Sequence, residues 1–191
     1  MNVTLLNGTL AGDATAEAVY DLLLTELAAR GHTVTTFVLR DIEITPCTGC
    51  FGCWMRTPGR CVLPKGGHDI AKAVVRSELT ILLTPIIFGG YSSELKKALD
   101  HLIMNILPFF TKVAGETHHV PRYEEPPNLL ALGALPAMDG ESERIFRALV
   151  ERNAINFYAE THAVGIFTPA QLENGARAEL TRLLDHLEAA R

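Results

Sequence analysis

All four cysteines of the chain lie in one short stretch, and their spacing suits a shared inorganic or redox centre. Two residues separate Cys47 from Cys50, two separate Cys50 from Cys53, and seven separate Cys53 from Cys61. A lone cysteine usually behaves as a small buried hydrophobe, but four thiolates this close in sequence can ligate one iron–sulfur cluster. We therefore predict that Cys47, Cys50, Cys53 and Cys61 form a metal or redox centre rather than a group of core side chains.

Composition places the chain among folded, globular proteins. Its length predicts one domain over residues 1–191, and a content of 48% hydrophobic and 20% charged residues is typical of an enzyme-like fold. A net charge of −5 argues against a nucleic-acid partner. The N-terminus has no basic segment before its apolar run, and no run is long enough to span a membrane, so we predict neither a signal peptide nor a membrane partner. The expected location is the cytoplasm, where reduced cysteines favour metal ligation or redox chemistry over a structural disulfide.

Short β-prone runs alternate with amphipathic runs, which predicts an open α/β sheet with helices on both faces. The predicted strands are Asn2–Leu6, Thr33–Val38, Leu79–Thr84, Leu129–Leu135 and Thr161–Phe167. The predicted helices run from about Asp13 to Arg30, His68 to Arg76, the Ser92 cap to Ile106, Glu141 to Tyr158, and from the Thr168–Gln171 capping box to the end. Because each helix joins two neighbouring strands, the strands should be parallel and the crossovers right-handed.

Residues 107–128 break this alternation. The four prolines of the segment, Pro108, Pro121, Pro126 and Pro127, predict that it contains no regular element. A segment of this length is usually a functional flap or an interface arm. Its two histidines, His118 and His119, are candidate contacts for a substrate or partner, with a solvated loop as the plainer alternative.

In such a sheet, ligands bind beyond the carboxyl ends of the strands, where the strand order reverses. Three loops should meet there: the first loop (Asn7–Asp13), the second loop (Pro85–Tyr91) and the third loop (Leu135–Met138). The cysteine loop, residues 46–62, follows the second strand and is expected beside them.

The first loop leads into a helix N-terminus, where backbone amides and the helix dipole favour an anion such as phosphate. The side chains of Asn7, Thr9 and Thr15 can add hydrogen bonds. The loop has no Lys or Arg, and Asp13 argues against a dianion unless it caps the helix and points elsewhere.

The second loop suits a flat redox ring. From Thr84 to Tyr91 it offers apolar side chains for packing and free backbone amides for a polar ring edge. A flavin needs that combination, because the protein has to cover its apolar side and donate hydrogen bonds to its pyrimidine side. The alternative is a loop that packs only on protein.

From Asn2 to about Pro108 the chain resembles the flavodoxin-like NAD(P)H-dependent FMN reductases, and in particular their iron-sulfur flavoprotein branch. The resemblance rests on three motifs: Leu6-Asn7-Gly8-Thr9, the run from Pro46 to Trp54 with its three cysteines, and the run from Thr84 to Asp100. It implies a doubly wound five-stranded parallel sheet in the order 2-1-3-4-5. It also implies dimers or tetramers with flavin at the subunit boundary.

The resemblance further assigns the ligands. FMN would be bound by Asn7, Gly8, Thr9, Thr15, Thr84, Pro85, Ile86, Ile87, Phe88 and Gly89. The cysteines at 47, 50, 53 and 61 would hold a [4Fe-4S] cluster near the flavin. The chain departs from the family pattern at Asp13, where a basic residue is common, and at His101, where an arginine often follows the helix aspartate.

The function expected from these features is an FMN-binding oxidoreductase. It would pass electrons from NAD(P)H or a reduced carrier through flavin, with or without the cluster, to an acceptor that the sequence does not identify. No side chain is predicted to be catalytic, because the flavin carries the redox chemistry. Two alternatives stay open: a cluster-free FMN or quinone reductase with redox-active thiols, and a non-enzymatic flavodoxin-like domain with zinc on the four thiolates.

Overall fold

Five parallel strands form the central sheet of the computed structural model, which describes residues 1–190. Arg191, at the end of the predicted domain, lies outside the described residues. The sheet strands are β1 (Asn2–Asn7), β2 (Thr33–Val38), β3 (Leu79–Pro85), β6 (Asn128–Ala134) and β7 (His162–Phe167), and a separate hairpin contains β4 (Ile106–Val113) and β5 (Glu116–Pro121). The sheet order is β2-β1-β3-β6-β7, which is the predicted 2-1-3-4-5 when the sheet strands alone are counted. The flavodoxin-like fold is therefore confirmed.

Helices cover both faces of this sheet. They are α1 (Ala14–Ala29), α2 (Gly52–Met55), α3 (His68–Val74), α4 (Ser93–His101), α5 (Gly140–Phe157), α6 (Pro169–Glu173) and α7 (Ala176–Ala189), with 3₁₀ turns at Leu39–Asp41 and Leu102–Asn105. None of these helices, within residues 1–190, is long and apolar enough to cross a bilayer.

The sheet is buried on both sides, as its continuous apolar strands require. Every residue of β3 and β6 is buried. Along β3, Leu82 packs with the core under α3, α4 and α5, whereas Ile81 and Leu83 pack with the core under α1 and α7. This alternation follows from the two-residue repeat of a strand and fixes which helices lie on each face.

Local capping signals set the helix starts. The Asp13 carboxylate accepts a hydrogen bond from the Ala16 amide at 3.0 Å, and Thr168 forms the predicted capping box with Gln171. The single final helix expected after Thr168 was wrong, because the chain breaks into α6 and α7. Gly175 lies at the break with φ of +100°, a backbone conformation that glycine adopts without strain.

The prediction that residues 107–128 contain no regular element was also wrong, because β4 and β5 pair as an antiparallel hairpin. Pro121 lies at the end of the ladder opposite Ile106, and Pro108 lies where the register shifts between Ile106 and Phe110. Neither proline removes a donor from the regular part of the ladder. The two-residue turn at Ala114 and Gly115 has positive φ at both positions, which is typical of tight hairpins.

Candidate active site

Three loops meet at the carboxyl edge of the sheet, as the sequence predicts. The Gly8 amide donates to the Leu83 carbonyl at 2.8 Å, and the Ser92 hydroxyl donates to the Gly8 carbonyl at 2.7 Å. The Ile86 amide donates to the Ala134 carbonyl at 2.9 Å. These bonds join the ends of β1, β3 and β6 and the start of α4, so the first, second and third loops share one edge.

The first loop passes very close to α4. A Cβ atom on Gly8 would lie 2.6 Å from the Leu95 Cβ and 2.8 Å from the Ser92 Oγ, so only glycine fits at this position. The Asn7 side chain accepts a hydrogen bond from the Thr9 amide at 2.9 Å and thereby shapes the loop. The Thr9 hydroxyl is buried and has no hydrogen-bond partner in the described part of the chain. A buried donor without a partner is the group that a bound phosphate would satisfy.

The Asp13 side chain already accepts a hydrogen bond from one of the free backbone amides at the start of α1. Its carboxylate caps the helix by accepting from the Ala16 amide, so it is the cap that the sequence offered as the alternative to a clash with phosphate. Thr15 follows in the first turn and is half-buried. An anion at this edge would use the loop amides that precede Asp13 and the free hydroxyl of Thr9.

The structure adds a cation that sequence reasoning missed. Arg40, just after β2, donates to the Leu10 carbonyl at 3.4 Å and to the Glu17 carboxylate at 3.2 Å. The strand order could have indicated the position of Arg40, because β1 and β2 are neighbours and Asn7 lies opposite Val38. Residues that follow the two strands therefore lie together, and Arg40 reaches the first loop from its neighbour.

Part of the second loop packs on protein. Thr84, Pro85 and Ile86 are buried. The Thr84 hydroxyl donates to the Pro85 carbonyl and accepts from the Ser92 amide, each at 2.9 Å. These three residues line the strand end beneath the site, and Ile86 belongs to the core under α3, α4 and α5.

The tip of the second loop has the properties predicted for a flavin contact. Ile87 and Gly90 exchange two backbone hydrogen bonds, and between them the Phe88 side chain is 98% exposed. The amides of Phe88 and Gly89 have no partner among residues 1–190. A Cβ on Gly89 would lie 2.6 Å from the Ile145 Cγ2 of α5, which explains the glycine. The tip thus offers apolar side chains and two free donors.

The cysteine loop lies at the other end of α4. His101, the last residue of α4, donates from Nε2 to the Thr45 carbonyl at 2.6 Å, and the Trp54 indole donates to the Ile103 carbonyl at 3.1 Å. The second loop joins the amino end of α4 at Ser92, nine helical residues or about 14 Å away. The expectation that the cysteine loop lies beside the flavin loops was therefore wrong for a single chain.

The four thiols do converge. Cys53 is buried, Cys47 and Cys61 are half-buried, Cys50 is exposed, and all four are free thiols. They line one cavity of about 20 Å³, the cysteine cavity, together with His101 and other side chains at the end of α4.

The thiols differ in acidity. Burial raises the pKa of the Cys53 thiol, and the neighbouring Cys61 raises it further. A hydrogen bond from the Gly52 amide lowers the pKa of Cys50. Of these two thiols, the exposed Cys50 therefore ionises more readily. The buried Cys53 stays protonated unless a cation lies near it.

The four thiols are not arranged as a site for a single metal ion in this structure. Within residues 1–190, no three His, Cys, Asp or Glu side chains are grouped closely enough to hold one metal ion. A four-iron cluster spreads its thiolates over four different irons and therefore needs a wider ring of sulfurs. The cysteine cavity is smaller than such a cluster, so the loop would have to open around it.

A family model described as NADPH-dependent FMN reductase matches residues 1–120. An iron-sulfur flavoprotein of Methanocaldococcus jannaschii is 32% identical over 77 residues, which are 40% of this chain. The match spans only 39% of that relative.

Two solved structures share the fold over nearly the whole chain. An NAD(P)H:quinone oxidoreductase from Methanothermobacter marburgensis has a TM-score of 0.70 at 12% identity, covering 100% of this chain and 99% of that one. An FMN-dependent NADH-azoreductase from Bacillus anthracis, in complex with FMN, has a TM-score of 0.69 at 11% identity, covering 98% and 99%. At these identities the likeness establishes the fold alone.

Proposed function

Because the chain belongs to the NADPH-dependent FMN reductase family, we propose that it binds FMN at the carboxyl edge of the sheet and transfers electrons from a nicotinamide nucleotide to an acceptor. The observation that carries this proposal is the first loop. There the Thr9 hydroxyl is buried and has no hydrogen-bond partner among residues 1–190, and the neighbouring Gly8 brings the loop against α4. A ligand phosphate that lies against the loop backbone would accept a hydrogen bond from this hydroxyl.

The chain's own residues would bind and orient the cofactor. Thr9 and the loop amides would donate to the phosphate, and Arg40 would offset its charge. Ile87 and Phe88 would cover the ring, and the free amides of Phe88 and Gly89 would donate to its polar edge. FMN, when bound, supplies the capacity to accept a hydride and pass electrons on.

The test is the absorption spectrum of the purified protein, with FMN added to any cofactor-free fraction. We expect the two bands of oxidised flavin and their bleaching by NADH or NADPH under anaerobic conditions. A colourless protein that neither retains nor takes up FMN would contradict the proposal.

We further propose that Cys47, Cys50, Cys53 and Cys61 hold a [4Fe-4S] cluster. Their convergence on one cavity supports it, as does the similarity to a protein named iron-sulfur flavoprotein. Anaerobically purified protein should contain iron and sulfide and show a broad shoulder near ~400 nm. Cys50→Ser should remove the shoulder and leave the flavin bands.

The same preparation separates the two alternatives. Stoichiometric zinc without iron would favour a zinc site on the four thiolates, and metal-free thiols that oxidise reversibly would favour a cluster-free reductase. We also propose a cytoplasmic location, because a reducing compartment keeps cysteines available for metal ligation or redox chemistry.

Finally, we propose that the chain forms a homodimer or homotetramer. Phe109 and Phe110 on β4 and Phe88 on the second loop are large exposed aromatic side chains, the kind that subunit contacts cover. A second subunit could also bring a cysteine loop nearer to a flavin edge than α4 allows within one chain. Light scattering on the eluting protein tests this, and a monomer at every concentration would contradict it.

A further inference from the structure

Two glycines lie against the short segment that carries Cys61, the cysteine farthest along the chain from the other three. A Cβ atom on Gly66 would lie 2.6 Å from both the Cβ and the Sγ of Cys61. A Cβ atom on Gly52 would lie 2.6 Å from Cγ2 and 2.9 Å from Cγ1 of Val62. Real Cβ atoms do not approach other atoms this closely, so a side chain at either glycine would displace residues 61–62.

The backbone conformation does not require glycine at these two positions. Gly49, Gly59 and Gly67 have positive φ, whereas Gly52 and Gly66 do not belong to this group. Gly52 is moreover the first residue of α2, and glycine is less favourable than alanine in a helix. The close approach of residues 61–62 is therefore the reason that the structure gives for both glycines.

The two ends of the cysteine loop are fastened together beside Gly66. The Thr45 amide donates to the Lys65 carbonyl at 3.1 Å, and the Thr45 hydroxyl donates to the Pro64 carbonyl at 2.7 Å. The His101 imidazole of α4 donates to the Thr45 carbonyl at 2.6 Å. Because residue 66 follows directly after this junction, a new side chain there would push Cys61 rather than move residue 66 itself.

The position of Cys61 decides whether four thiols or three can act together. Cys61 lines the cysteine cavity with the other three cysteines. Burial raises the pKa of Cys53 and the Cys61 thiol raises it further, as expected for two thiols that lie close together. A four-iron cluster with only three thiolates would have one iron without a protein ligand.

We propose that Gly52 and Gly66 are positioning residues of the cysteine centre: they leave the space through which the Cys61 thiol joins those of Cys47, Cys50 and Cys53. Both glycines act through residues 61–62 rather than as ligands. The consequence for cluster uptake rests on the proposed [4Fe-4S] cluster, whereas the placement of the Cys61 thiol does not.

Gly66→Ala tests the placement of the thiol in cluster-free protein. We expect iodoacetamide to alkylate the displaced Cys61 severalfold faster than in the native chain, and Cys47, which is also half-buried, at the native rate. Trypsin cleavage after Arg60 and Lys65 puts Cys61 in a peptide without another cysteine, so mass spectrometry measures its rate alone. A native rate at Cys61, or an equal rise at all four cysteines, would overturn the assignment of Gly66.

Gly140→Ala is the control for both glycine variants, because no atom lies within 4 Å of a Cβ built there. Residues that support metal ligands usually change metal affinity 10–100-fold. In anaerobic titrations with ferrous iron and sulfide, Gly52→Ala and Gly66→Ala should each raise the iron concentration at half-maximal uptake about tenfold. The absorbance near ~400 nm follows this uptake. Uptake at the Gly140→Ala level by both variants would overturn the proposal.

Val62→Ala separates a steric effect at Gly52 from a loss of stability. It removes the two methyl groups that a Cβ on residue 52 would meet, so Gly52→Ala combined with Val62→Ala should take up iron as the native chain does. Val62→Ala should not rescue Gly66→Ala, whose new Cβ meets Cys61 itself. Absence of rescue at position 52 would overturn the assignment of Gly52. A native chain that takes up no iron and sulfide would contradict the proposed cluster, and the labelling of Cys61 would still decide whether Gly66 positions its thiol.

Discussion

Gly8 shows how one residue type can fix the position of a loop. A Cβ at this position would lie 2.6 Å from the Leu95 Cβ in a fully buried contact with α4. We therefore expect Gly8→Ala to destabilise the fold by about 1–3 kcal/mol, the usual cost of overpacking. Urea denaturation measures it, with Gly140→Ala as control, because no atom lies within 4 Å of a Cβ built there. Equal midpoints for the two variants would mean that α4 can move away without loss.

Replacement of Arg40 tests whether a positive charge that follows the neighbouring strand β2 helps to bind the FMN phosphate. Its guanidinium already contacts the first loop at the Leu10 carbonyl. Removal of a charge-assisted contact should raise the Kd for FMN about tenfold in Arg40→Gln. Flavin fluorescence quenching gives the Kd, and Arg182→Gln, which removes an exposed arginine on α7, should leave it unchanged. An unchanged Kd in Arg40→Gln would mean that Arg40 pairs with Glu17 and does not contact the phosphate.

The thiols should differ in reactivity in cluster-free protein. The pKa of Cys50 is lowered by the Gly52 amide and that of Cys53 is raised by burial, so more Cys50 is thiolate at any pH below its usual pKa. We expect iodoacetamide at pH 7.5 to alkylate Cys50 well before Cys53, as followed by peptide mass spectrometry. Faster labelling of Cys53 would show that burial neither keeps this thiol protonated nor shields it from the reagent.

At the scale of elements, the β4–β5 hairpin is held against the end of α5. Glu116 pairs with Arg152, His118 contacts both Glu116 and Asn156, and the Tyr158 hydroxyl donates to the His119 carbonyl at 2.5 Å. The last of these contacts fixes the backbone of His119 beside the end of α5. The hairpin is thus an ordered part of the molecule rather than an irregular flap.

The Glu116 pair gives this attachment a pH dependence. Its hydrogen bond with Arg152 lowers the pKa of Glu116 from 4.5 to about 2. A lowered carboxyl pKa stabilises the folded state above the unfolded pKa, and this stabilisation is lost as pH falls from 4.5 towards 2. Hydrogen exchange of the hairpin should therefore be faster in Glu116→Gln than in the native chain at pH 7, and the difference should shrink as pH falls from 4.5 towards 2.

A matched variant separates this effect from surface charge in general. Glu141 also pairs with an arginine of α5, Arg144, but lies outside the hairpin contacts. Glu141→Gln should leave hairpin exchange at the native rate. If both variants speed exchange alike, the Glu116–Arg152 pair has no specific role in holding the hairpin.

The sequence predicted best those elements whose formation depends on residues close together in the chain. Continuous apolar runs specified β3 and β6, and Asp13, Ser92 and Thr168 marked helix starts because a cap acts on its own first turn. The hairpin was missed because prolines were weighed as breakers, although the Ala114–Gly115 turn carried a signal for it. Arg40 was missed because its role depends on strand order, a long-range property.

The position of the cysteine loop could not be predicted for a similar reason. After β2 the chain turns back along α4, and Thr45 bonds to His101 at the far end of that helix. No local pattern in residues 39–46 encodes this return. The convergence of four thiols followed from their spacing, but their distance from the second loop follows from how the whole chain packs.

For the molecule as a whole, α4 separates the two proposed redox regions. The carboxyl edge meets α4 at Ser92, and the cysteine cavity meets it at His101. The two proposed regions therefore lie at opposite ends of one nine-residue helix.

Ligand binding should register in the stability of the whole fold. FMN that binds only the native state adds about 2.7 kcal/mol when its concentration is 100 times its Kd. For a chain of 191 residues, a gain of this size raises Tm by about 5–10 °C.

Riboflavin at the same concentration has the ring but no phosphate. It should raise Tm by much less, because the contacts of Thr9 and Arg40 would be missing. Differential scanning calorimetry measures both shifts. Equal shifts for the two flavins would mean that the first loop does not bind the phosphate, and that the ring alone accounts for the affinity.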